Sequence, residues 1–148
     1  MDRSGVVRLF EYVECVVDGE PIAIPLERAG RWVECTIAAL PLTEPWIRGI
    51  AVFDDEVLLC IGTQPRPSQP PRRARGVVLE VAGKDGMVRW LLEVDVVVGM
   101  GRLHVRTHAD RSDSLLGEGT TSDGRAIRWL DVAALASSGL SSPRARTA

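Results

Sequence analysis

Apolar and polar positions alternate with a period near two over residues 6–17, VVRLFEYVECVV, and the run stops at Asp18-Gly19-Glu20. Successive side chains of an extended chain point to opposite faces, so this stretch predicts a strand ending in a hairpin turn. PIAIPL (21–26) resumes as a short strand, and LERAGRW (26–32) fits one helical turn. WVECTIAALPLTEPW (32–46) mixes periods, and its two prolines predict an irregular path. IRGIAVF (47–53), EVLLCIG (56–62) and RGVVLEVAG (75–83) each predict a strand. GKDG (83–86) predicts a tight turn into MVRWLLEVDVVVGM (87–100). The segment 114–140 reads as strand, Ser122-Asp123-Gly124 turn, strand, and a short helix from about Leu130. Asp131 falls near the start of that helix, where a carboxylate suits the dipole.

Short strands at this spacing define an all-β barrel or sandwich, and one C-terminal helix leaves that class unchanged. The pattern places Val7, Leu9, Ile22, Ile24, Ile50, Val78, Leu91 and Ile127 in the core. Residues 64–75, QPRPSQPPRRAR, carry prolines and arginines and read as a solvated loop, with a polyproline ligand as the functional alternative. SSPRARTA (141–148) reads as a frayed tail. Two strand-turn-strand units open on Arg-Gly, at 48–49 and 75–76, as if each began one of two small barrels.

A chain of 148 residues fits one domain. Its net charge of -2 gives no support for nucleic-acid binding by bulk charge. No apolar run reaches the length of a membrane span, and MDRSGVVRLF lacks the apolar core of a signal peptide, so a cytoplasmic protein without direct membrane contact is expected. Cys15, Cys35 and Cys60 form no CxxC pair and sit among apolar neighbours, as small buried hydrophobes do. His104 and His108 have helical chelate spacing, but the segment is rich in β-favouring residues and offers no third ligand. The chain has no GxSxG, glycine-rich phosphate loop or HExxH. Its one concentration of carboxylates, Asp54-Asp55-Glu56, lies between two apolar runs and reads as a hairpin turn, with a carboxylate site as the alternative. No metal, cofactor or enzymatic activity is expected.

The order of these segments resembles the CheW-like domain family, from about Arg8 to Leu140. DGEPIAIPLERAGRW is similar to the family's opening, and LPLTEPWIRGIAVFDDEVLLCIG to its core V-x-G-V-x-N-L-R-G motif, matched at Ile47, Gly49 and Ile50. Val94, Asp95 and Val97 match V-D-x-V, and Leu130, Asp131 and Leu135 match the closing L-D-x-x-x-L helix. The resemblance implies one domain over residues 6–140, built of two intertwined five-stranded SH3-like barrels with a shared core and a short C-terminal helix.

The resemblance also implies a function. CheW proteins are non-enzymatic adaptors in bacterial chemosensory arrays. They bind the cytoplasmic tip of methyl-accepting receptors in a groove between the barrels, and the regulatory domain of a histidine kinase. Transferred by motif, the receptor surface comprises Ala29, Arg31, Gly49, Val52 and Asp54, and a bulky residue at Gly49 is expected to block the groove. The chain departs from the family where function is implied. Asp54-Asp55 replaces Arg-Gly, Val52 replaces Asn, and Leu59 and Gly62 replace Pro and Asp. Arg31 stands where the family has a glutamate beside that arginine, so the charge pair reads as reversed. The stretch after Val97 is shorter than usual, which points to weakened kinase contact. A stand-alone SH3-like module for another protein ligand is the alternative reading.

Overall fold

The structure, a computed structural model, describes residues 7–39, 46–64, 69–83, 86–106 and 115–137. Among the described residues, ten strands form two closed barrels. In chain order they are β1 (Val7–Val17), β2 (Glu20–Pro25), β3 (Ala29–Ala38), β4 (Ile47–Phe53), β5 (Glu56–Ile61), β6 (Arg72–Gly83), β7 (Gly86–Glu93), β8 (Val96–Arg106), β9 (Leu116–Thr121) and β10 (Ala126–Leu130), followed by helix α1 (Val132–Ser137). The first barrel has the order β1-β2-β10-β9-β8 and the second β3-β4-β5-β7-β6. The chain leaves the first barrel after β2, completes the second, and returns for β8 to β10. One parallel pairing within each barrel, β10 with β2 and β5 with β7, accompanies the antiparallel ones.

Among the described residues, three apolar cores follow from this layout. Tyr12, Ala23, Leu103, Val105, Ile127 and Trp129 fill the first barrel. Cys35, Ile37, Ala51, Leu58, Cys60, Val78 and Leu91 fill the second. The largest core lies between them and takes Cys15, Val17, Ile22 and Ile24 from one barrel and Ile61, Leu79, Trp90 and Leu92 from the other. Each fully buried aliphatic side chain stabilises the fold by roughly 1.5–3 kcal/mol, so the shared core ties the two barrels into one unit.

Several expectations are corrected. Leu9 is 54% exposed, because it lies where β1 runs beyond the shared core, and Ile50 is half-buried at the rim of that core. The side chain of Val7 lies outside those described. The helix begins at Val132, since Leu130 still pairs with Leu116 in β10. Asp131 accepts a hydrogen bond from Ala134 N at 3.1 Å and caps that helix. The helix packs mainly on β6 of the second barrel, and Val132 and Leu135 enter the shared core. Residues 29–38 form a strand, bulged between Ala29 and Trp32, so only 40–45 of the segment read as irregular fall outside the described residues. The Pro/Arg-rich loop ends earlier than the expected 75, because Arg72 to Arg75 pair with Ile37 to Glu34 in β3. The two Arg-Gly units, β4–β5 and β6–β7, belong to the same barrel. The GKDG turn, His108 and residues 141–148 lie at least partly outside the described residues.

Candidate functional site

Asp54 and Asp55 are the two central residues of the β4–β5 hairpin, where Phe53 pairs with Glu56. Both have positive φ, 53° and 61°, the signature of a type I′ turn whose twist matches that of the flanking strands. Aspartate is among the few non-glycine residues that visit this region readily. The turn also separates the three acids. Asp54 accepts a hydrogen bond from Arg31 at 3.1 Å, Glu56 accepts one from Arg89 at 3.2 Å, and Asp55 faces solvent. They do not converge, and no cluster able to hold a metal occurs among the described residues.

Arg31 reaches the hairpin from β3. The β3–β6 register shifts between Ala29 and Trp32, and such a bulge re-aims the side chains it contains. The Arg31 guanidinium lies 4.9 Å from the Phe53 ring centroid, so the ring holds it from one side while Asp54 holds it from another. Sequence similarity put the matching residue in the helical turn, but that turn covers only Leu26–Arg28, and Arg31 is on a strand. The pair is open to water, with side chains 70% and 65% exposed, not in a desolvated groove.

The remaining candidates divide. Val52 is 64% exposed, two residues before Asp54. Ala29 is half-buried where the bulge begins. Gly49 is buried, with φ 141°, and a Cβ there would lie 2.1 Å from the carbonyl oxygen of Ala38. Gly49 therefore shapes β4 and is not a surface contact, so a bulky replacement tests folding and not a groove. Trp32, the neighbour of Arg31, is 45% exposed and was missed by motif comparison.

A second constellation, absent from the motif reading, joins the barrels. Arg48 is the extra residue in a bulge, because Ile47 pairs with Ile61 and Gly49 with Cys60. Its side chain crosses Gly62, where a Cβ would lie 2.3 Å from the guanidinium, and donates to Asp18 at 2.7 Å and to Gln64 O at 2.8 Å. Asp18 sits in the β1–β2 turn with φ 53° and also accepts from Thr63 N, Thr63 Oγ1 and Gln64 N. The Arg48 and Asp18 side chains are 4% and 7% exposed. The next residue of the turn, Gly19, donates its N–H to Asp95 in the return crossing from β7 to β8. Asp95, one of the V-D-x-V residues, thus holds a hairpin at the junction of the barrels. Nearby, Arg128 donates twice to Glu20 and holds its carboxyl below the usual carboxylate range.

The cysteines are buried and reduced. Burial pushes the Cys15 thiol up to about 12 and raises those of Cys35 and Cys60. His104 lies exposed on β8, an extended strand in which helical chelate spacing has no meaning.

Two five-stranded barrels, the second inserted between β2 and β8 of the first, a shared core and a terminal helix define the class: this chain has a CheW-like fold. Among solved structures it is similar to the scaffolding protein TtCheW from Thermoanaerobacter tengcongensis, with a TM-score of 0.53 and 16% identity over 83% of this chain and 89% of that one. No protein-family model matches the chain, and no curated protein matches its sequence. No helix among the described residues is long and apolar enough to cross a membrane.

Proposed function

We propose that this protein is a divergent, non-enzymatic adaptor of a bacterial chemosensory array. It works in the cytoplasm and binds the cytoplasmic tip of a methyl-accepting receptor. The observation that carries this reading is the CheW-like double barrel with the Arg31–Asp54 pair at its surface, reversed in sign relative to the family's usual glutamate and arginine. The similarity to a solved scaffolding protein supports it. In this reading Arg31, Val52 and Asp54 contact the receptor, Ala29 and Gly49 shape the strands behind them, and the reversed charges select a receptor tip of matching polarity. Contact with the histidine-kinase regulatory domain is weak or absent.

Titration calorimetry of the full chain with receptor cytoplasmic fragments and with the kinase regulatory domain tests this. Receptor binding that weakens in Arg31→Glu, Asp54→Arg and Val52→Glu is expected. A folded protein that binds no receptor fragment, or binds equally well in all three variants, overturns the receptor surface. Robust binding to the isolated kinase domain overturns the weakened kinase contact. Gly49 is excluded as a probe because its replacement perturbs β4 itself.

A further inference from the structure

We propose that the second barrel carries an oxyanion cradle that takes a carboxylate, and that Asp18 of the first barrel is its internal ligand. The donors come from β4 and from the segment that follows β5. Arg48 Nη2, Thr63 N, Thr63 Oγ1 and Gln64 N lie 2.7, 2.8, 3.2 and 3.1 Å from one oxygen, Asp18 Oδ2. Two successive backbone N–H groups aimed at a single acceptor form a nest, a concavity that binds anions. The cradle is braced by contacts that do not involve Asp18. Arg48 donates to Gln64 O at 2.8 Å, its guanidinium crosses Gly62, where a Cβ would lie 2.3 Å away, and Gly62 N donates to Trp46 O at 2.9 Å. The second barrel therefore holds the donors in place, while the acceptor arrives on the β1–β2 turn of the other barrel.

The donor set fixes the class of ligand. One guanidinium charge and three neutral donors balance a monoanion, and donors converging on one atom suit the charged oxygen of a carboxylate. The site is also small and closed, since the Arg48 and Asp18 side chains are 4% and 7% exposed. A ligand standing in for the Asp18 side chain is therefore a carboxylate the size of acetate. In the intact chain the fold presents Asp18 already oriented, so a dissolved anion does not displace it and the cradle serves to dock the hairpin. The next turn residue, Gly19, donates its N–H to Asp95 at 3.2 Å. Two adjacent turn residues thus fasten the hairpin to the second barrel and to the return crossing.

The inference does not rest on the adaptor reading, and chemical rescue of the full chain tests it. Asp18→Gly removes the carboxylate at a φ of 53°, which glycine adopts freely, so the turn itself is spared. Replacing chloride by acetate at about 0.5 M and fixed ionic strength is expected to raise the Tm of this variant by about 3–6 °C, for a dissociation constant of roughly 50 mM. The rise is measured as the excess over wild type and Asp18→Asn, whose cradles are filled, which removes the general effect of the salt. Pivalate, too bulky for the site, should give no excess, and neither should acetate on Asp18→Gly combined with Arg48→Met. If Asp18→Gly is unfolded in chloride, rescue is read as recovery of its β-sheet circular dichroism in acetate. Hydrogen exchange supplies a readout in the unaltered protein. The Thr63 and Gln64 amides of wild type should exchange at least about tenfold more slowly than in Asp18→Gly, and acetate should restore their protection in that variant. Absence of an excess or of refolding in acetate, an equal effect of pivalate, rescue that survives Arg48→Met, or wild-type amides that exchange as fast as those of the variant overturns the proposal.

Discussion

Replacing Asp18 with asparagine removes one charge from the barrel junction while keeping volume and turn geometry. Asparagine tolerates the 53° φ of this position about as well as aspartate does, so the backbone is not the perturbed quantity. Electrostatics is. The Asp18 carboxylate faces a guanidinium at 2.7 Å, and the two side chains are 7% and 4% exposed, so little water compensates when one charge goes. Removing one partner of a buried pair costs about 3–5 kcal/mol. The asparagine oxygen still accepts from Thr63 and Gln64 amides, and Arg48 keeps Gln64 O at 2.8 Å, which places the expected loss near the lower end, about 3 kcal/mol. For a chain of this size that lowers Tm by about 6–12 °C. Urea unfolding followed by circular dichroism measures it, with an unchanged slope and a midpoint lower by about 1–2 M. Glu34→Gln provides the contrast, since the Arg73–Glu34 pair spans 3.6 Å with both side chains more than 60% exposed. Its loss should be no more than about 0.5 kcal/mol. If Asp18→Asn costs under about 1 kcal/mol, the junction is not held by a desolvated charge pair and the reasoning fails.

Three further outcomes are expected. Gly49→Ala should cost more than about 3 kcal/mol or prevent folding, since it sets a Cβ against the Ala38 carbonyl in a left-handed backbone; a variant as stable as wild type in urea would refute the close approach. A double-mutant cycle with Arg31→Glu and Asp54→Arg should give a stability coupling of only ~0.5–1 kcal/mol, with the reversed double variant recovering most of each single loss; zero coupling would reduce the pair to a coincidence of the turn. The buried thiols should resist aromatic disulfide reagents at pH 8 until the protein unfolds. Because the folded Cys15 thiol titrates at about 12 and the unfolded one near its ordinary 9.0, the unfolded chain loses its proton first, so stability should hold below pH 9 and fall from there towards pH 12. A thiol that reacts readily in native buffer, or stability that rises across that window, would contradict its burial.

Alternation along the chain located most strands because one-sided burial is a local property of an extended backbone. VVRLFEYVECVV, IRGIAVF and EVLLCIG each declared a strand, and Asp54-Asp55 declared a turn, from neighbours within a few residues. The pattern alone gave an all-β barrel or sandwich, and the double barrel came from the resemblance of the segment order to the CheW-like family. Pairing was another matter. The two Arg-Gly hairpins look alike in sequence yet share one barrel, because β5 and β7 meet through a parallel contact that no local pattern encodes. Residues 33–38 read as irregular until β6 was beside them to accept their hydrogen bonds. The candidate surface shows the same division. Arg31 and Asp54 could be matched as a pair from motif order, but only the tertiary structure showed that water surrounds them. Arg48, beside the matched Gly49, carried no assigned role in the sequence. The bare Gly62 beneath it and the carboxylate of Asp18 lie 14 and 30 positions away in sequence. A charge becomes buried only when the rest of the fold closes over it, and that depends on contacts distant in sequence.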